Sequence, residues 1–343
     1  MRLRVMKKKD FADFVGNLIG SYEVVGPKAK NDRFVFGALE SPDELRLDYD
    51  TTLLPPKKYL LPQREKLLKF RVGSELDVEE HVQAPQRVLL GVHPYDIKAI
   101  SQMDRYFTEE NPDIHYMKKR ENTIIIGLDP INVSENAFCT AMNSATVDAG
   151  FDLLLTDIGD KYAVAIGSDK GESLLADHAR TGDAARKDVT ARDKARAKVA
   201  TLCAQQETSF TAQELPELLE RGESHVVWED KGDKCLSCGS CVLVCPSCYC
   251  FDVADEVELN LTDGHRWRRW DGCVLEDFAK VATGENFREA RVARYRHRFY
   301  RKGQYLFKKF GEPACVGCGR CVSACLPDIA NPVAVYNALK EEE

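Results

Sequence analysis

No stretch of this sequence approaches the roughly 18 consecutive apolar residues that a membrane-spanning helix needs, so no direct membrane insertion is expected. Neither G-x-G-x-x-G nor a Walker sequence occurs, and a bound NAD(P) or FAD is expected on a partner rather than here. Gly167-Ser168-Asp169-Lys170-Gly171 is short and reads as a loop after a strand. The formal net charge is −7, which makes no general case for nucleic acid. The start of the chain is basic, but Asp10 and Asp13 stand where a signal peptide would need its apolar stretch. Cysteine is too thin for a disulfide scaffold, at 13 in 343 residues. A chain of free thiols without an export signal is expected in the cytoplasm. With 44% hydrophobic and 30% charged residues it can bury a sizeable core, and nothing suggests disorder.

What the sequence does contain is two runs of four cysteines on one spacing. Cys235-x2-Cys238-x2-Cys241-x3-Cys245 precedes Pro246, and Cys315-x2-Cys318-x2-Cys321-x3-Cys325 repeats it near the C-terminus. Four soft thiolates at this spacing match the ligand pattern of two-cluster ferredoxins, in which the fourth cysteine of each run ligates the other cluster. The pattern assigns Cys235, Cys238, Cys241 and Cys325 to one [4Fe-4S] cluster, and Cys315, Cys318, Cys321 and Cys245 to a second. Gly239 and Gly319 occupy equivalent places, where positive φ lets backbone N–H groups turn toward cluster sulfurs. One departure is that Pro327 follows its run one residue later than Pro246 does. Structural zinc usually shows separated C-x2-C pairs, and runs this crowded cannot pair as disulfides in good geometry.

Five cysteines remain. Cys248 and Cys250 follow the first run almost directly, and Cys273 lies in Trp270-Asp271-Gly272-Cys273, inside an insertion of about 70 residues between the runs. If Cys139 folds over, then Cys139, Cys248, Cys250 and Cys273 form a third four-thiolate site. Its readings are a third [4Fe-4S] cluster, a set of buried thiols at a packed junction, or zinc. Cys203 has no partner nearby in sequence and reads as a small apolar residue. Trp267 and Trp270 read as anchors of the insertion. Residues 288–309 interleave basic residues with Tyr295, Phe299, Tyr300, Tyr305 and Phe307. That pattern is expected to pack its aromatics inward and project its arginines outward, with some arginines free to compensate cluster charge or dock an acidic partner.

The fold class expected is α+β: a mixed α/β domain over 1–172, a helical connector over 173–228, and a ferredoxin-like dicluster module over 229–343 with its insertion at 251–312. Residues 1–20 read as an amphipathic helix, with Phe11, Phe14, Val15, Leu18 and Ile19 on one face. Strands are expected over 33–39, 87–92, 123–128, 151–156 and 162–166, the last two as a hairpin. Asp96 is expected to cap a helix that turns Ile97, Ile100, Met103 and Phe107 inward. The prolines between Leu53 and Pro62 suggest an irregular crossing. Residues 174–203 read as a surface helical segment, Leu175 included. Thr211 and Glu214 suggest a capping box, with Phe210 stapled on Leu215.

Several segments resemble one known family: Pro56-Lys57-Lys58-Tyr59, His93-Pro94-Tyr95-Asp96, Arg120-Glu121-Asn122-Thr123, Phe138-Cys139-Thr140-Ala141-Met142, Gly150-Phe151-Asp152-Leu153-Leu154, Cys248-Tyr249-Cys250-Phe251-Asp252, Trp270-Asp271-Gly272-Cys273 and Tyr295-Arg296-His297-Arg298-Phe299. Across nearly the whole chain the sequence resembles beta subunits of cytoplasmic [NiFe] hydrogenases of the sulfhydrogenase type, and the related A subunits of anaerobic sulfite reductases. It departs from the family pattern at Tyr95 and Ala137, where family members often carry cysteine. The resemblance implies a non-catalytic electron relay between a flavin/NAD(P)-binding subunit and a catalytic subunit, either a [NiFe] hydrogenase or a sirohaem protein. A structural metal-bound assembly protein is the reading from another class. The family's cysteines matching Cys139, Cys248, Cys250 and Cys273 are the reason to hold the third site open.

Overall fold

The computed structural model describes residues 2–109 and 111–341. Its strands, in chain order, are β1 (Arg2–Lys7), β2 (Glu23–Lys30), β3 (Arg33–Ala38), β4 (Arg64–Val72), β5 (Leu76–Glu80) and β6 (Arg87–Val92). They continue as β7 (Thr123–Leu128), β8 (Leu153–Asp157), β9 (Lys161–Ile166), β10 (Gly182–Asp183), β11 (Phe251–Val257) and β12 (Asp263–Trp270). Eight of them form one mixed sheet in the order β10-β1-β9-β8-β7-β6-β2-β3. The pairs β2/β6, β6/β7 and β7/β8 are parallel, and the flanking pairs are antiparallel.

Period-two alternation explains how this sheet is buried on both faces. Val88, Leu90, Ile124, Ile126, Leu153 and Leu155 point to one face, where they pack on Phe14, Val15 and Leu18 of the helix Lys8–Ile19. Leu89, Ile125 and Leu154 point to the other, where they meet Ile97, Ile100 and Met103 of the helix Pro94–Thr108. The 157–161 connection is the expected hairpin, with Gly159 at φ +104°.

Several local expectations change. Of the N-terminal stretch expected as one helix, residues 2–7 are strand, because they pair antiparallel with β9, and only the helix from Lys8 carries the apolar face. Met1 lies outside the described residues. Asp96 is not a cap: His93 is, with Pro94 at the first helical position, and Asp96 is buried inside the first turn. Residues 56–59 form a single 3₁₀ turn within the proline-rich crossing. Ser168 of the Gly-containing loop caps the helix Asp169–His178, whose Leu174 and Leu175 belong to the core rather than to a surface segment. The helix Arg186–Leu202 is the surface element, burying only Asp188 and Val199. Glu214 does reach back to the Thr211 N–H at 2.8 Å, but the Thr211 hydroxyl donates to the same carboxylate instead of capping the helix.

The insertion between the cysteine runs is not self-contained. Its hairpin, β11/β12, joins β4/β5 in a four-stranded antiparallel sheet of order β11-β12-β4-β5. Trp270 anchors this junction by donating from Nε1 to Leu61 O at 2.9 Å, under the Lys57 ammonium. Buried Arg268 of β12 pairs with Glu65 of β4 within the sheet and with Asp113 outside it. A second, helical core lies under the cysteine runs, where Trp228, Tyr295, Phe299, Tyr300 and Tyr336 pack with Leu215, Leu218 and Leu219. Among the described residues no helix is long and apolar enough to cross a membrane.

Candidate iron-sulfur site

The two cysteine runs fold as local copies of each other. Gly239 and Gly319 both stand at φ +77°, and each starts a single helical turn, Ser240–Leu243 and Arg320–Ser323. The backbone bonds repeat as well: Val242 N to Gly239 O at 3.0 Å matches Val322 N to Gly319 O at 3.0 Å. Two residues into each run, Ser237 and Gly317 share positive φ, at 51° and 65°. Such αL positions turn successive N–H groups to one side of a loop, which suits an anionic centre.

The thiols group across the runs. The buried Cys241 thiol is pushed up to about 12, first by burial, against the nearby Arg298 and with Cys321, Cys235 and Cys325 as neighbours. Burial also pushes Cys315 and Cys318 up to about 12, and both have Cys321 and Cys245 close by. Cys325 thus stands near the first run, while Cys245 stands near the second. Cys238 is exposed, whereas Cys245 and Cys318 are buried. Cys241, Cys315 and Cys318, raised first by burial and then by neighbouring thiols, are protonated groups that a metal centre would relieve, since binding releases those protons. Soft sulfur donors in this number suit iron-sulfur cubanes.

Of the four residues set apart for a third site, Cys248 and Cys273 share one core, Cys250 lies near Cys273, and Cys139 is elsewhere. Cys248 and Cys273 share a small core with Cys241 and Val242, and Cys250 is among the charges that raise the Cys273 thiol after burial itself. Cys139 instead lies beneath the second run, its Sγ donating to Gly317 O at 3.2 Å. It is held there by the Phe138 N to Gly317 O bond and by the pairing of Phe138 with Ala204. The same pairing corrects the reading of Cys203, which hydrogen-bonds Cys139 and is not without a partner.

The basic helix that follows the insertion also differs from expectation. Its aromatics do pack inward, but Arg294, Arg298 and Lys302 are buried with them. They recur every four residues along Arg291–Tyr300 and the π-helical turn Arg301–Tyr305, so they form one stripe facing the cysteines. Arg294 Nη2 donates to Ser237 Oγ at 3.0 Å within the first run. Lys302 Nζ donates to Cys245 Sγ at 3.1 Å and to Ser247 Oγ at 3.0 Å. The Cys245 thiol is lowered well below its usual value, chiefly by its hydrogen bond with Cys248, against burial, and then by Lys302. On the second run, Arg320 is buried and clamped by Asp96, with both bonds at 2.7 Å. Lys57, Lys302 and the Arg320–Asp96 pair were not legible as site residues. Their signals were indirect: Lys57 and Asp96 lie in segments that carry the family resemblance, and basic residues recur every four positions ahead of Lys302.

Loop conformation, thiol grouping and buried cations together define an iron-sulfur protein whose two cysteine runs sit on a mixed α/β scaffold. Residues 234–329 match the 4Fe-4S dicluster domain family. The whole chain is 32% identical to sulfhydrogenase 2 subunit beta of Pyrococcus furiosus over 349 aligned positions, covering 99% of each chain. The chain belongs to the family of sulfhydrogenase beta subunits, and it is an iron-sulfur electron-transfer protein.

Proposed function

We propose that this chain is the electron-relay subunit of a cytoplasmic multisubunit oxidoreductase, carrying electrons between a flavin subunit that handles NAD(P)H and a [NiFe] hydrogenase catalytic subunit. The observation that carries this reading is the similarity to a sulfhydrogenase beta subunit over 99% of both chains, which extends far beyond the dicluster region. Bound cubanes supply one-electron chemistry; the chain holds them in place, excludes water and adjusts their potentials by hydrogen bonds and charge. The ligands proposed are Cys235, Cys238, Cys241 and Cys325 for one [4Fe-4S] centre, and Cys245, Cys315, Cys318 and Cys321 for the other, in the ferredoxin-like crossed arrangement. The matching loops and the grouping of thiols across the runs support it. Anaerobic co-purification tests the partners. A nickel subunit and a flavoprotein are the expected companions, and recovery of a sirohaem protein without nickel would overturn the hydrogenase assignment.

A third [4Fe-4S] centre is proposed at Cys248, Cys250 and Cys273, on the strength of their common location. Iron and acid-labile sulfide in anaerobically purified protein should then approach three cubanes, about twelve irons per chain. Cys273→Ser should lower the count by about four irons, and the same count on Cys139→Ser decides whether Cys139 is the fourth ligand. A wild-type count of two cubanes, unchanged in Cys273→Ser, removes the third centre.

A further inference from the structure

Three cations are buried around Cys245 and Cys248, and among the described residues none of them meets a carboxylate. Lys57, Arg298 and Lys302 are 2%, 2% and 6% exposed. Lys57 Nζ donates to Cys248 O at 2.7 Å and lies over the Trp270 ring. Arg298 has no partner for its Nε and stands near Cys241, Cys321, Cys245 and Cys248. Lys302 spends its hydrogen bonds on Cys245 Sγ and Ser247 Oγ. A buried charge costs several kcal/mol unless an opposite charge answers it. The answering charges here are thiolates and whatever anionic centre they hold.

The second run is built differently. Arg320 is as deeply buried, but Asp96 neutralises it through two bonds, and Thr52 takes the remaining donors through its carbonyl and hydroxyl. That pair adds almost no net charge to its surroundings. Lys302 therefore contributes a positive charge that no carboxylate among the described residues offsets, placed by a direct hydrogen bond on one ligand sulfur. A positive charge in a low-dielectric site favours the state with one more electron, and a hydrogen bond to a ligand sulfur acts in the same direction.

Building on the relay reading, we propose that Lys302 is a positioning residue that raises the reduction potential of the centre held through Cys245, making that centre the one that fills first. Arg298, set between thiols of both runs, acts on both centres and contributes little to the difference between them.

The test is an EPR-monitored redox titration of the full chain, purified anaerobically, in wild type, Lys302→Met and Lys302→Arg. Cys245→Ser marks which signal belongs to the centre in question. In Lys302→Met that centre should become about tenfold harder to reduce, a downward shift of about 59 mV for a one-electron couple. The centre of Cys235, Cys238, Cys241 and Cys325 should keep its potential, and Lys302→Arg should return most of the shift. Intact cluster signals with unmoved potentials overturn the assignment of Lys302 alone, whereas a wild-type chain without reversible cluster signals overturns the relay reading beneath it. If Lys302→Met loses iron, Lys302→Gln carries the same test with a neutral donor. Loss of iron in both neutral variants, with unchanged melting of the metal-free chain, also overturns the proposal, because Lys302 is then needed for assembly rather than for potential.

Discussion

Asp96→Ala should destabilise the protein by about 3–5 kcal/mol, the loss expected when one member of a buried ion pair is removed. Asp96 and Arg320 are 1% and 3% exposed, and the guanidinium grips both carboxylate oxygens at 2.7 Å. Arg320 also donates to Thr52 O at 2.9 Å and Thr52 Oγ1 at 3.1 Å, which leaves the charge itself without a counter-ion when Asp96 is removed. His93, held well below its usual value first by burial and then by Arg320, brings no negative charge to replace it. The effect reaches beyond stability, since Arg320 starts the helical turn that carries Cys321. Urea unfolding of the metal-free chain should show the lower midpoint, and the holo protein should hold the second centre less firmly. The double variant Asp96→Leu/Arg320→Met should lose much less than the sum of the single losses, because it removes both charges together. A loss below about 1 kcal/mol in Asp96→Ala would show that the pair is not desolvated as it stands here.

Gly317→Ala should cost about 2–5 kcal/mol, from about 1–2 for a Cβ in the left-handed region and about 1–3 for overpacking. Gly317 stands at φ +65°, and a Cβ built there would meet Phe138 C and O at 2.7 Å and Cys139 Cα at 2.8 Å. These contacts are backbone, so no rotamer change relieves them. The segment that carries Cys139 would have to lift away, breaking the Phe138 N to Gly317 O bond at 2.8 Å. The expected readout is faster hydrogen exchange at Phe138 with a lower melting temperature. Ser237→Ala at the equivalent place in the first run adds no Cβ, since a side chain is already accommodated there at φ 51°, so it should cost only the Arg294 hydrogen bond and leave exchange at Phe138 unchanged. Unchanged exchange at Phe138 in Gly317→Ala would mean that the close approach of Phe138 does not matter.

Much of the site was legible because its signal is local. Metal-ligand spacing within a run, and a glycine at the same place in each, depend on a few consecutive residues. The central strands were equally plain, because Val88 to Leu90 and Ile124 to Ile126 alternate between two buried faces. The N-terminal strand was missed because its partner, β9, lies some 160 residues away, and the helix periodicity beyond Lys8 masked it. Asp96 looked like a cap because short-range rules place an acid there; its true partner, Arg320, is 224 residues away. Cys203 looked isolated for the same reason, since it meets Cys139 only once the chain folds and Phe138 pairs with Ala204.

From sequence alone came the cofactor class and the two principal ligand sets proposed, since thiolate chemistry and loop conformation are written in short runs. Only the tertiary structure decided what surrounds them. It put Lys302, offset by no carboxylate among the described residues, on Cys245 and a neutralised Arg320 beside Cys321, and it built one sheet from residues 64–80 and 251–270. It also drew Cys139 away from Cys248 and Cys273. Burial and charge pairing arise between residues that meet only on folding, and no periodicity along the chain encodes which of them will meet.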